Sequence, residues 1–314
     1  MEGEPVSDVG RGGVSKGGVR PWRMVVIAIA WGSCFPLLDW GLDGVSTLWF
    51  VTWRAIVAGL VLWALGAAVN WTPGAPSPQM RLGTWALIGV LALMNVTVSF
   101  AAMAASSTGI ATGMATVLAN SQALLVVLPA WALFGERPRT AEIAAVVFGV
   151  GGLLLIAVPS GGGRGYGLAL LAAVGVTAGA LLARRLADVD VLKLGYRQFL
   201  VGGAALAVLA AVIDGPPTVG MSAHSWVALF VLAVGGTALP YLLWFVELRR
   251  ASITAVTSWT LLVPVVGLAL GVVVVGERLA LAELLGAATV VTALAIVAVA
   301  GRITTRPQHI RGDG

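Results

Sequence analysis

Charge is what this chain has least of. Only 11% of its 314 residues are Asp, Glu, Lys or Arg, while 59% are apolar. A soluble domain carries roughly 25% charged residues, so the chain reads as a polytopic membrane protein. Long runs of Leu, Val and Ala exclude intrinsic disorder, and 41 glycines with 14 prolines exclude one continuous helix. Cysteine is equally rare. One Cys, Cys34, and two His, His224 and His309, rule out a disulfide framework, a thiolate metal site and a paired-histidine haem clamp. No cofactor or metal is therefore expected. Runs that alternate apolar and polar residues are missing too, which excludes a transmembrane β-barrel. The bases form no contiguous patch interleaved with aromatics, so no nucleic-acid partner is expected.

What the chain does have is apolar stretches near the roughly 20 residues a helix needs to cross a bilayer. Ten emerge. The first five run from Met24 to Trp40, Ser46 to Val69, Thr84 to Ala104, Gly109 to Leu133 and Ala141 to Val158. The other five run from Tyr166 to Ala183, Val191 to Val212, Ser225 to Val246, Ser252 to Val275 and Leu281 to Ala300. They are called spans 1 to 10 below. Span 1 follows Arg20 and Arg23 and resembles a signal-peptide core, but no A-x-A-like site follows it, so it is expected to stay in place.

With the N-terminus inside, sixteen of the nineteen Lys and Arg residues fall on the cytoplasmic side, Arg164 and Arg278 fall outside, and Arg54 lies within span 2. This positive-inside bias predicts a multi-pass protein of the plasma or inner membrane with both termini cytoplasmic.

The two halves repeat. At an offset of 143, Trp53-Arg54 aligns with Tyr196-Arg197, Gly59 with Gly202, and Trp31-Gly32 with Val174-Gly175. At an offset of 141, Phe100 aligns with Tyr241, Gly135-Glu136-Arg137 with Gly276-Glu277-Arg278, and Glu142 with Glu283. Five spans per repeat is an odd number, so the second repeat enters the membrane upside down. The expected fold is all-α, with ten transmembrane helices in two inverted five-helix repeats at 23–159 and 165–301. A disordered cytoplasmic N-terminus, 1–22, and a cytoplasmic tail, 302–314, flank them. Inverted repeats are the architecture of secondary transporters.

Several residues also carry a resemblance. Trp31-Gly32-Ser33-Cys34-Phe35 in span 1, an Arg in spans 2 and 7, Gly-Glu-Arg closing spans 4 and 9, and Leu262-Val263-Pro264-Val265-Val266 are similar to the EamA-type family of the drug/metabolite transporter superfamily. The resemblance runs from about Met24 to Ala300. It implies a ten-helix carrier, often an exporter of amino acids and other metabolites. One departure is Ala123, which stands where the second repeat has Pro264.

An unsatisfied polar group in hydrocarbon costs several kcal/mol, so mid-span polar residues should face protein or a watery cavity. Asn95, Ser99 and Met103 lie four apart on one face of span 3, and Thr108, Thr112, Thr116 and Asn120 do so in span 4. Asn120, Ser121 and Gln122 form an uncharged cluster able to hydrogen-bond both ends of a zwitterion. Asn95, Ser99, Asn120 and Gln122, with Trp31, Ser33, Tyr241, Trp244 and Trp259, form the candidate substrate path. The competing reading is interhelical adhesion for the polar set and packing for the aromatics.

Arg54 and Arg197 are intramembrane charges, functional by default. Their structural alternative is pairing with Asp39 or Asp43 and with Asp188 or Asp190. Glu136, Glu142, Glu277 and Glu283 are expected to complement helix N-termini. Pro36, Pro129, Pro240 and Pro264 are hinge candidates, because each removes a backbone donor inside an apolar run. Gly109-x-x-x-Gly113 and Gly267-x-x-x-Gly271 allow close helix approach, sealing the repeats together or forming a homodimer face.

The favoured function is a secondary carrier that exports a small metabolite and whose other partner is the lipid bilayer. A multidrug or cation antiporter is the alternative, although span 1 lacks the buried carboxylate such exchange requires. An intramembrane enzyme is disfavoured: there is no H-E-x-x-H, no G-x-S-x-G within a span, and no mid-span Asp or His.

Overall fold

The computed structural model describes residues 19–42, 44–69, 81–107, 109–135, 140–157, 163–217, 220–251, 253–260 and 262–303. All regular structure among them is helical. Six segments are long and apolar enough to cross a membrane: Pro21–Gly41, Thr47–Val69, Leu82–Ser107, Arg164–Arg185, Val191–Ile213 and Ala223–Arg250. The chain is a multi-pass membrane protein.

Spans 4 and 9, expected as unbroken runs, are broken. Span 4 is built from Thr112–Ala119, Gln122–Leu125 and Val127–Phe134, and span 9 from Ile253–Trp259 and Leu262–Leu270 followed by the π-helical Gly271–Val275. Polar side chains that compete for backbone carbonyls are the cause. Asn120 Nδ2 donates to Thr116 O (2.8 Å), Ser121 Oγ to Leu118 O (2.8 Å), and Thr260 Oγ1 to Thr257 O (2.6 Å).

The four prolines mark these and similar breaks. Pro36, Pro129, Pro240 and Pro264 each occupy the second or third position of a new helical segment, starting at Cys34, Val127, Leu239 and Leu262 respectively. In a first turn a missing N–H leaves no intrahelical bond unmade.

Two wider turns interrupt spans 3 and 8. Leu93–Val98 and Val234–Ala238 are π-helical and match at the 141-residue offset of the repeats. Hydroxyls reach back five residues to the displaced carbonyls: Ser99 Oγ donates to Met94 O (3.0 Å) and Thr237 Oγ1 to Leu232 O (2.8 Å). Gly135 and Gly276, also 141 apart, end their helices with φ of 69° and 76°, a left-handed conformation that glycine adopts without a Cβ penalty.

Span 2 packs along span 7, and Thr140–Ala157 along Leu281–Ile303. Span 1 lies between spans 8 and 9, as span 6 lies between spans 3 and 4. The glycine motifs seal the halves to each other. A Cβ on Gly271 would come within 3.0 Å of the Gly113 amide, and one on Gly267 within 2.1 Å of Thr116. Gly113, Gly267 and Gly271 are buried in these contacts.

The face where span 1 begins carries most of the bases, and it is latched. Glu247, fully buried, takes Arg23 Nη1 on Oε1 (2.7 Å) and the Arg20 amide on Oε2 (3.0 Å). Arg184 Nη1 adds a bond to Ala251 O (2.8 Å). At the opposite face Asp214 caps the helix Thr47–Val69, accepting from Ser46 Oγ and the Leu48 amide. There a cleft of about 560 Å³ lies among the helix ends near Thr47, Ala105, Arg164 and Asp214.

Candidate functional site

A second, smaller cavity, about 60 Å³, lies in the interior. Its wall is assembled from the interrupted parts of the helices. Trp31, Cys34 and Phe35 flank the break in span 1, and Asn120 and Gln122 flank the break in span 4. Ser99, Phe100 and Met103 follow the π segment of span 3, and Tyr241 follows that of span 8. Ala172 and Val176 of span 6 and Arg54 of span 2 complete it. Where a helix is interrupted, side chains and carbonyls turn away from the regular ladder, and such segments recur at functional sites.

Of the residues expected on the substrate path, the structure brings Trp31, Ser99, Asn120, Gln122 and Tyr241 to this cavity. Asn95 stands behind it, buried, its Nδ2 donating to Gln198 Oε1 (3.1 Å) and its Oδ1 accepting from Tyr241 Oη (3.4 Å). Trp244 supports Trp31, with ring centroids 5.3 Å apart, and Tyr241 stands at the same distance on Trp31. Ser33 Oγ returns to Ala30 O (3.0 Å), and Trp259 packs against the main core. Neither lines the cavity.

Arg54 requires a correction. Pairing with Asp39 or Asp43 is not what holds it: Asp39 is exposed, and Asp43 lies outside the described residues. Arg54 is 2% exposed and about 10 Å inside the helix that begins at Thr47. Its Nε donates to Thr237 Oγ1 (2.8 Å), and its Nη2 meets Cys34 Sγ (3.3 Å) and Gly236 O (3.4 Å). The guanidinium carbon stands 4.6 Å over the Phe100 ring. The π segment of span 8 thus supplies the carbonyl and hydroxyl that replace a carboxylate. Among the described residues, buried Nη1 has no partner, and neither have the two amide atoms of Gln122, which is 1% exposed.

Arg197, half-buried, lies elsewhere, 4.6 Å over Trp85 and 5.6 Å over Tyr196. Asp190 caps its own helix through the Lys193 amide (3.0 Å). Glu277 does serve a helix N-terminus, but that of span 4: its Oε2 accepts from the Gly113 amide (2.9 Å). Thr108 and Glu136, and the side chains of Thr112, Glu142 and Glu283, lie outside the described residues.

Sequence reasoning missed Cys34, Phe35, Gln198 and Thr237. The last two are mid-span polar residues that the rule applied to Asn95 would have found. Cys34 and Phe35 belong to the Trp31–Phe35 stretch that carries the resemblance, but their apolar type gives no sign of a place in the cavity wall.

Comparison with known proteins gives the family and the fold. The model of the EamA-like transporter family matches residues 22–158 and again 163–299. A WAT1-related chloroplastic protein of Arabidopsis thaliana is 26% identical over 85% of this chain, which spans 66% of that relative's length. A probable amino-acid metabolite efflux pump of Escherichia coli is 26% identical, over 87% of this chain and 92% of the pump. A solved crystal structure superposes with a TM-score of 0.66 at 20% identity, covering 90% of this chain and 97% of the other, a likeness of fold. With the family model matched on both sides of residue 160 and a cavity walled by interrupted membrane helices, this chain is a membrane transporter and belongs to the EamA-like transporter family.

Proposed function

We propose that the protein is a secondary carrier that exports small metabolites such as amino acids by alternating access. Two inverted five-helix repeats, residues 23–159 and 165–301, form the moving bodies. They sit in the plasma or inner membrane, with cytoplasmic segments 1–22 and 302–314. The observation that carries this reading is the central cavity, to which both halves contribute aromatic and polar side chains. A latched basic face and a cleft at the opposite face support it, as expected for a state closed on one side. The cavity walls are apolar with few convergent polar groups, the usual chemistry of a small-molecule site.

The test is flux in proteoliposomes. Gln122→Leu and Asn120→Leu are expected to lower efflux of the transported metabolite at least tenfold while the protein still folds and reconstitutes. Unchanged flux in both would remove these residues from the path.

A further inference from the structure

We propose that the central cavity is a carboxylate site, with Arg54 as the charge partner and Gln122 as the second anchor, so that the exported solute carries a carboxylate. This rests on the carrier reading above and narrows its substrate class.

A guanidinium cannot shed its charge in a protein, and a buried cation needs a counter-charge or a full set of hydrogen bonds. Arg54 has neither. Its contacts are a hydroxyl, a thiol, a carbonyl and a ring face, all neutral, and no carboxylate pairs with it among the described residues. Those contacts hold Nε and Nη2 and leave Nη1 without a partner. The other polar groups of the wall are spent locally, Ser99 on Met94 O and Asn120 Nδ2 on Thr116 O, whereas Gln122 keeps both amide atoms unpartnered. Among the fully buried side-chain atoms of the wall, the unused capacity is therefore one cationic donor and one amide, beside which Asn120 keeps its Oδ1.

That donor set suits a carboxylate, whose planar oxygens match a guanidinium edge. A phosphate would bring more oxygens than Nη1 and one amide nitrogen can serve. Trp31, Phe35 and Phe100 offer an apolar surface for the rest of the solute. Cationic drugs are disfavoured, because they would face a fixed like charge at short range.

Arg54 also bridges elements that must part in any transport cycle. It belongs to span 2 and is held by Cys34 of span 1 and by the π segment of span 8. A bound carboxylate would hold the guanidinium while those contacts exchange.

The test uses the full-length protein in nanodiscs and four probes: isovalerate, isovaleramide, isopentylammonium and inorganic phosphate. Isovalerate is expected to raise the thermal midpoint and the other three are not. Arg54→Gln is expected to weaken the half-saturation for isovalerate about tenfold or more, the worth of a charge-assisted hydrogen bond, with Arg54→Lys in between. Equal stabilisation by the amide, the amine or phosphate overturns the proposal, and so does no response to any probe; these wild-type comparisons need no variant to fold. Proteoliposome flux is scored separately. Carboxylate-selective binding without flux of any solute supports the site and overturns the carrier reading. Flux with no preference for carboxylates does the reverse.

Discussion

Arg54 and Arg197 stand at matching positions of the two halves, seven residues into the helix from Thr47 and six into the helix from Val191. Their surroundings nevertheless differ. The first is sealed against a π segment beside the cavity; the second lies over Trp85 and Tyr196 in a half-buried site. The π segment that would mirror Arg54's partner, Leu93–Val98, is engaged instead by Gln198, through Asn95, and by Gly202 O, which accepts from Thr97 Oγ1 (3.1 Å). The backbone irregularity is present in both halves, and it is met by a cation, Arg54, in one and by an amide, Gln198, in the other. A symmetric scaffold thereby acquires a polarised cavity.

The sharpest way to break this comparison is to exchange charge for neutrality at each position. Arg54→Gln should reduce flux about 100-fold, the scale of two charge-assisted hydrogen bonds, whereas Arg197→Gln should cost less than about fivefold. Equal losses in the proteoliposome assay would mean the halves are functionally alike.

Next in size is the latch. Glu247→Gln leaves Arg23 without its carboxylate and should destabilise the closed basic face by about 3 kcal/mol. The lone cysteine serves as the reporter, since Cys34 lines the cavity. Its modification by a membrane-impermeant maleimide applied from the basic face should accelerate, and an unchanged rate would show that the latch does not control access.

A smaller effect is expected where the halves touch. Gly267→Ala should lower the thermal stability by about 1–3 kcal/mol, because its Cβ would meet Thr116. Gly151→Ala, with open space around it, should be neutral or slightly stabilising. The smallest change belongs to the network behind the wall. Tyr241→Phe removes one long hydrogen bond to Asn95 and should cost about 0.5–1 kcal/mol in unfolding, with little change in flux.

Much of the architecture is readable because membranes constrain sequence so strongly: apolar runs bounded by charge mark helices, and the 141-residue offset aligns Phe100 with Tyr241, although neither signals the π segments beside them. The breaks in spans 4 and 9 were less readable. Asn120-Ser121 and Thr260 look like ordinary polar residues in an apolar run, and only the three-dimensional choice of carbonyl over neighbouring helix turns them into interruptions. Arg54 stands out in the sequence as an intramembrane charge, but opposite charge there points to Asp39 or Asp43 and not to a hydroxyl and a carbonyl 182 to 183 residues away. Gln198 was overshadowed by the arginine beside it.

The paired π segments also set where a backbone carbonyl is left free. A π turn holds one residue more than the α-helix around it, so each behaves as a single-residue insertion. They fall at the same register of spans 3 and 8, in the two stretches that the same family model matches. Each therefore releases a carbonyl deep in a span, Met94 O and Leu232 O, to the hydroxyls of Ser99 and Thr237.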